Sequence, residues 1–421
     1  MIRPNLGWRS VAVLSAAALA LSACGDDKAD SPTTAATSGG AAAAAGDGVL
    51  KIGTILPQTG SLAFLGPPEF AGVDVAIKEI NDNGGVLGKP AQIQELDSGD
   101  TSTDIATQSV NKLLTDKTDV IIGAASSSVS LSVIDKITGA GVVQISPANT
   151  STAFTTYNDK GLYFRTAPPD TLQGRVLGDL IVQDGNANVG MLVLNDSYGT
   201  GLAENAKKEI ESGGGKVVAS VTYDPKAADF SGEVGQIKTA NPDAIAIIGF
   251  DETKKIVPKL VEAGLKNKKW YFVDGNIADY SKDFPAGTLN GFKGTQPGAE
   301  TKADFKQRLL GVNKDLKDFN YAVESYDAVI LAALAAEEAG SDNPAEIAKH
   351  LTTVSKGGEK CTAYKQCLDL IKAKKDIDYD GLSGPISFND AGDPAEATIG
   401  VYTYGPDNKL LPTVKYQAGK I

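Results

Sequence analysis

Short apolar runs alternate, along most of the chain, with stretches in which apolar residues recur every three or four positions. Phe70, Val73, Ile77 and Ile80, for example, fall on one face of a helix. The runs of strand length lie at 50–56, 91–96, 119–123, 142–146, 189–194, 217–221, 244–248 and 270–273. The stretches of helical spacing lie at 70–80, 105–114, 129–137, 202–212, 230–239, 254–263 and 321–339. Apolar strands that alternate with helices predict parallel sheets covered by helices on both faces.

The strand–helix alternation occurs in two series, which predicts two lobes. Globular sequence runs from Val49 to Ile421, too long for one comfortable core. We therefore expect an α/β fold of two doubly wound parallel-sheet lobes joined by three hinge crossings, with the apolar helix 321–339 in the core of lobe one. We expect the crossings near 168–169, 294–297 and 381–385. The predicted limits are 49–168 plus 296–383 for lobe one and 169–295 plus 384–421 for lobe two.

The first residues carry a different pattern, that of an export signal. Arg3 and Arg9 precede an apolar run from Val11 to Leu21, and Leu-Ser-Ala-Cys ends at Cys24. The run is shorter than the roughly 20 residues that span a bilayer. It resembles a bacterial lipoprotein signal peptide with its lipobox. This resemblance implies cleavage after residue 23, a lipid on Cys24 and an extracytoplasmic chain anchored to the cell membrane.

Residues 24–48 are polar or small and predict a disordered tether, because they cannot bury enough apolar surface to offset the entropy of ordering. Removal of residues 1–23 takes two of the 40 basic residues and leaves 38 against 52 acidic ones, a net charge of −14. Such a chain does not suit nucleic acid, whose binding rests on neutralised phosphates. We expect no nucleic-acid partner and a monomer.

The sequence offers little for catalysis, and we predict no enzyme, cofactor or metal. His350 is the only histidine and falls on a charged helix; HExxH, GxSxG and phosphate-loop motifs are absent. Residues 376–381 resemble the start of a calcium loop, but Ser387 stands where a bidentate glutamate is required, so an acidic loop is the simpler interpretation. Cys361 and Cys367 fit a disulfide in an oxidising compartment; a metal pair is the alternative, without a histidine or third cysteine to support it.

Two loops that follow predicted strands have polar side chains suited to an anion. Ala-Ala-Ser-Ser-Ser at 124–128 precedes a helix, and the amides and dipole of a helix N-terminus attract a carboxylate. Ser-Pro-Ala-Asn-Thr at 146–150 can present a carbonyl and a hydroxyl to a crevice. Ligands of open parallel sheets sit beyond the carboxyl ends of the strands, where both loops lie. Taken singly, each is an ordinary cap or turn.

Taken together, these segments resemble the leucine/isoleucine/valine-binding family of type I periplasmic binding proteins. The resemblance rests on VIIGAASSSVSLSVIDKITGAGVVQISPANT, on GSLAFLGPPEFAGVDVAIKEINDNGGVLGKPAQIQELD, and on LNDSYGTGL, IIGFDE and YFVDGN in that order. It covers residues 49–421. It implies the type I periplasmic binding protein fold and a receptor that captures a small solute for an ABC permease.

The resemblance also implies the ligand site. Ser127 and Thr150 would hold the ligand carboxylate, the Ala148 carbonyl and Asp274 its ammonium group, and Tyr198 would reach in from lobe two. This predicts a branched-chain or other aliphatic amino acid between two closing lobes.

Three departures from the family bear on the ligand. Leu65 stands where many relatives have an aromatic residue, Phe250 where a tyrosine is common, and Asp274 where relatives have glutamate. A non-amino-acid solute such as an amide or aromatic acid therefore stays an alternative, as does a ligand sensor that feeds a signalling partner. An extracytoplasmic enzyme would need a nucleophile with a base, and the sequence shows no such pair.

Overall fold

The computed structural model describes residues 46–421, which form a five-stranded, a seven-stranded and a two-stranded sheet. The strands are β1 (Lys51–Leu56), β2 (Gln92–Asp97), β3 (Val120–Gly123), β4 (Val143–Ser146), β5 (Tyr163–Arg165), β6 (Asn188–Leu194), β7 (Lys216–Tyr223), β8 (Ala244–Ile248), β9 (Lys269–Val273), β10 (Lys293–Pro297), β11 (Glu359–Cys361), β12 (Ile377–Tyr379), β13 (Glu396–Thr403) and β14 (Lys415–Lys420). The α-helices are α1 (Gly66–Asp82), α2 (Ile105–Thr115), α3 (Ser127–Gly139), α4 (Asp170–Gln183), α5 (Ser197–Ser212), α6 (Ser231–Ala240), α7 (Thr253–Glu262), α8 (Ala303–Val312), α9 (Ala322–Ala339), α10 (Pro344–Val354) and α11 (Tyr364–Lys372).

The first sheet, which defines lobe one, has the order β2-β1-β3-β4-β5 and is parallel throughout. The strands β3 and β4 are buried along their whole length, as expected of strands covered on both faces. Helix α9 is buried from Ala322 to Ala336 and packs in the core of this lobe, mainly against α1 and α10. The expectation that the apolar helix belongs to this core is confirmed.

The second sheet, which defines lobe two, has the order β14-β13-β10-β9-β8-β6-β7. Strands β6 to β10 pair in parallel, whereas β13 is antiparallel to both β10 and β14. The α/β fold class is confirmed, and the pattern of short apolar runs missed this antiparallel edge. Strand β14 is almost fully exposed, so it has no apolar run that could reveal it.

The chain crosses between the sheets three times. It leaves the first sheet after β5, returns to lobe one between β10 and α8, and enters the second sheet again at β13. Ile386 and Phe388 still pack in the core of lobe one, which favours a third crossing after residue 388 rather than at the predicted 381–385. The lobe limits at 168, 295 and 383 stay a prediction.

The predicted signal peptide, the predicted lipidation site Cys24 and most of the predicted tether lie outside the described residues. Just beyond them, the Gly48 amide donates a hydrogen bond of 2.6 Å to Asp342. The disulfide between Cys361 and Cys367 is confirmed, and it joins β11 to α11. Within residues 46–421, no helix has the length and apolar character needed to cross a bilayer.

Candidate functional site

The carboxyl ends of the parallel strands of both sheets face one cleft. The loops after β3 and β4 form its lobe-one wall, and the loops after β6, β8 and β9 form its lobe-two wall, as expected for open parallel sheets. A narrow cavity between the walls, called here the central cavity, is lined by Leu62, Leu65, Ala125, Ser126, Ser127, Ala148, Tyr198, Phe250, Asp274, Gly275 and Tyr321. The structure therefore brings six of the seven predicted ligand-binding residues together.

The central cavity is tightly closed. Its walls leave about 10 Å³ for the centre of a water-sized sphere. That volume corresponds to roughly one water molecule. An amino acid would therefore enter only if the two walls moved apart, which requires rotation at the crossings between the lobes.

Hydroxyl groups collect at the lobe-one end of the cavity. Ser126 caps α3 by accepting a hydrogen bond of 3.3 Å from the Val129 amide. The Ser127 hydroxyl oxygen accepts bonds from the amides of Thr150 (3.3 Å) and Ser151 (3.2 Å). Two accepted bonds leave the hydroxyl proton of Ser127 free to donate.

Thr150, the seventh predicted residue, does not line the central cavity but lies directly beside Ser127. Its hydroxyl is buried and makes no well-formed hydrogen bond among residues 46–421, although it lies near enough to the Asp170 carboxyl to lower the pKa of that acid. A buried polar group without a well-formed hydrogen bond is costly, so it points to a bond made in another state of the protein. A ligand carboxylate could accept this bond together with that of Ser127.

Asp274, directly after β9, carries the negative charge of the cavity. Its Oδ1 accepts hydrogen bonds from the Tyr198 hydroxyl (2.6 Å) and Gln173 Nε2 (2.8 Å), and its Oδ2 accepts one from the Tyr321 hydroxyl (2.7 Å). Burial raises the pKa of Asp274, and the three donors oppose that rise. A carboxylate has about four acceptor positions, so one remains for an ammonium group.

A second acid, Asp170, lies close behind this cluster in the first turn of α4. Its carboxyl oxygens are buried and make no well-formed hydrogen bond in the described chain, and its amide donates to the Thr150 carbonyl (2.7 Å). Burial, followed by the negative charge of Asp274, raises the pKa of Asp170 well above its ordinary value, whereas the Thr150 hydroxyl and the charge of Arg165 oppose the rise. The site therefore disfavours a second negative charge beside Asp274.

An aromatic pair forms the lobe-two wall. The rings of Tyr198 and Phe250 stack with their centroids 5.4 Å apart and their planes inclined by 14°. Phe250 also lies against the backbone of Gly275, where a Cβ atom would come within 2.5 Å of the ring. Glycine at this position therefore lets the ring reach the cavity.

Hydrogen bonds join the two walls directly. Ser128, on α3, donates to Asp196 (3.0 Å) and accepts from the Ser197 amide (3.3 Å), both at the start of α5. On the other side, Tyr321 of lobe one donates to Asp274 of lobe two. Two residues that line the cavity, Tyr321 and Asp274, thus also help to hold it closed.

Sequence reasoning missed three residues of this cluster, namely Tyr321, Gln173 and Asp170. Tyr321 was assigned to the first turn of a helix; it instead precedes α9 with a left-handed φ of 56°, which directs its side chain to the cleft. Gln173 and Asp170 belong to α4, a helix the pattern did not assign. The polar residues directly after Pro168-Pro169 were the available signal.

Comparisons with known proteins identify the family of the chain. A family model described as periplasmic binding protein matches residues 49–405. Leu/Ile/Val-binding protein homolog 1 of Brucella abortus is 30% identical over 310 residues, which cover 71% of this chain and 81% of that protein. BasB of Halobacterium salinarum is a substrate-binding protein of a chemotactic signal transduction system. It is 26% identical over 357 residues, which cover 82% of this chain and 84% of BasB.

Solved structures share the fold. The leucine-binding protein LivK of Thermotoga maritima superposes with a TM-score of 0.72 at 21% identity, covering 88% of this chain and 98% of its own. A solute-binding protein of R. palustris in complex with benzoate superposes with a TM-score of 0.69 at 19% sequence identity. The match covers 89% of this chain and 98% of that protein. With a family model that spans most of its length and a relative at 30% identity, the chain belongs to the periplasmic binding protein family.

Proposed function

We propose that the protein is the substrate-binding lipoprotein of an ABC importer and captures a branched-chain or other aliphatic amino acid in the central cavity. Ser127 and Thr150 hold the ligand carboxylate, Asp274 and the Ala148 carbonyl hold its ammonium group, and Leu65, Tyr198 and Phe250 enclose its side chain. The lobes close over the ligand, and the closed form docks on a membrane permease. The protein turns over no substrate and acts as a monomer.

The observation that carries this proposal is the pairing of opposite polar groups around one closed cavity. A free hydroxyl proton on Ser127 and a hydroxyl on Thr150 that makes no well-formed hydrogen bond suit an anion, while Asp274 suits a cation. A zwitterion needs both. The names of the Brucella relatives support the choice of ligand, and family membership supports a location outside the cytoplasm. The lipobox that ends at Cys24 supports the membrane anchor.

Isothermal titration calorimetry with leucine, isoleucine and valine tests the proposal. Asp274→Ala and Thr150→Ala should each weaken binding by about 30-fold or more, since each removes a buried partner of a charged ligand group. Asp390→Ala and Thr239→Ala replace the same residue types at exposed positions and should leave the affinity unchanged. Unchanged affinity in both cavity variants, with intact melting curves, would overturn the site assignment.

A second candidate function is that of a ligand sensor on the same fold. The similarity to BasB, whose name places it in a chemotactic system, favours this alternative. Uptake of radiolabelled leucine in cells that lack the protein separates the two. Loss of uptake supports the importer, and normal uptake with loss of a leucine response supports the sensor.

A further inference from the structure

A second compartment lies beside the central cavity and shares two of its wall residues, Phe250 and Gly275. This side compartment has a water-accessible volume of about 870 Å³, far more than the central cavity. Apolar residues of its lining include Phe64, Pro67, Pro68, Ile277, Leu316 and Leu410. Eight lining residues are charged, four acids and four lysines, namely Asp251, Asp279, Asp315, Asp318, Lys254, Lys282, Lys317 and Lys409.

Phe250 forms the partition between the two spaces. Its ring is stacked on Tyr198 on one side and lies against Gly275. Its backbone is fixed as well, because its amide donates to Glu252 Oε1 (2.8 Å), which also accepts the Tyr223 hydroxyl (2.7 Å). The partition therefore consists of one side chain on a firmly held backbone.

We propose that the side compartment is a distal extension of the ligand site that the Phe250 ring closes, so that this ring sets the longest ligand side chain the protein accepts. This inference rests on the proposed function, because the amino-acid head group stays at Ser127 and Asp274. An aromatic or long aliphatic side chain could pack on the apolar residues of the lining, such as Phe64, Ile277 and Leu410. Ring truncation joins the two spaces and lets such a side chain extend past Gly275.

Calorimetry with isoleucine and phenylalanine tests the proposal on the wild type, Phe250→Ala and Phe292→Ala. Phe292 is the matched control, because it is as buried as Phe250 at 8% exposure but packs on Trp270 and lines none of the cleft cavities described above. In Phe250→Ala, the preference for isoleucine over phenylalanine should fall at least about 10-fold, since one methylene in an apolar pocket is already worth about 10-fold. Phe292→Ala should keep the wild-type preference.

A further variant tests where the longer side chain goes. Pro67 is an exposed wall residue in the first turn of α1, where an acid is tolerated, so Pro67→Glu adds a charge to the side compartment at little cost in stability. When Pro67→Glu is combined with Phe250→Ala, the increase in relative affinity for phenylalanine should disappear. An unchanged preference in Phe250→Ala, or a gain that survives Pro67→Glu, would overturn the distal extension while isoleucine binding stands. Failure of the wild type to bind isoleucine would overturn the proposed function itself.

Discussion

Glu324, in the first turn of α9, should make the protein less stable as the pH rises, and Glu324→Gln should remove that dependence. The side chain is 2% exposed. Burial raises its pKa to about 8 from an ordinary 4.5, and the negative charge of Asp327 adds to the rise. The charged and titratable groups around it are acids and phenols, namely Glu69, Asp327, Tyr321, Tyr402 and Tyr416.

The sign follows from where the proton is held. The folded chain keeps the Glu324 proton up to about pH 8, whereas the unfolded chain loses it near its ordinary pKa. Unfolding therefore releases a proton between these values, and the free energy of unfolding falls by about 1.4 kcal/mol per pH unit across that window. At pH 7 the loss amounts to about 3 kcal/mol. Glutamine cannot ionise, so Glu324→Gln should not lose this part of the free energy of unfolding.

Urea unfolding and thermal melting at pH 5, 6, 7 and 8 measure the effect. The two proteins should be nearly equally stable at pH 5, and Glu324→Gln should be the more stable by about 3 kcal/mol at pH 7. Glu69, whose pKa burial also raises, is present in both proteins, so the difference between them isolates Glu324. The exposed Glu204→Gln is the control and should follow the wild type. Parallel stability curves for wild type and Glu324→Gln would refute the reasoning.

Three further substitutions have defined outcomes. Asp393→Ala leaves the buried guanidinium of Arg165 without its carboxylate partner, 2.6 Å away, and should cost about 3–5 kcal/mol in urea unfolding. Cys361→Ser combined with Cys367→Ser should lower the free energy of unfolding by about 2 kcal/mol, because the unfolded chain is no longer constrained by the disulfide-closed loop. A reductant should destabilise the wild type and leave the double variant unchanged. Tyr321→Phe removes one donor from a buried carboxylate and should lower leucine affinity about 10-fold in calorimetry, with no change expected at an exposed tyrosine such as Tyr416.

Much of the fold was predictable because both faces of the central strands are buried. Strands such as β3 and β8 are apolar at nearly every position, and their limits were predicted to within one residue. Strand β14 was not predictable, since it lies at the edge of the second sheet and is almost fully exposed, and β13 beside it has only three buried positions. Helix α1 starts four residues earlier than its apolar face suggested, because Pro67 and Pro68 fit the first helical turn.

The candidate site was predictable where it is built from loops that directly follow strands. Ser127 and Ala148 follow neighbouring strands, so their meeting follows from the topology. The surroundings of Asp274 were not predictable, because its donors come from residues 47 and 101 positions away in the sequence. Only the packing of α4 and α9 on the cleft brings Gln173 and Tyr321 to the carboxylate.

The central cavity should recognise both charged groups of an amino acid. The most direct test is calorimetric titration of the full chain with leucine and with 4-methylpentanoate, which is leucine without its ammonium group. We predict that leucine binds at least about 30-fold more tightly, because only leucine supplies a cation for Asp274. Equal or tighter binding of 4-methylpentanoate would contradict the account and favour a carboxylic acid as the ligand.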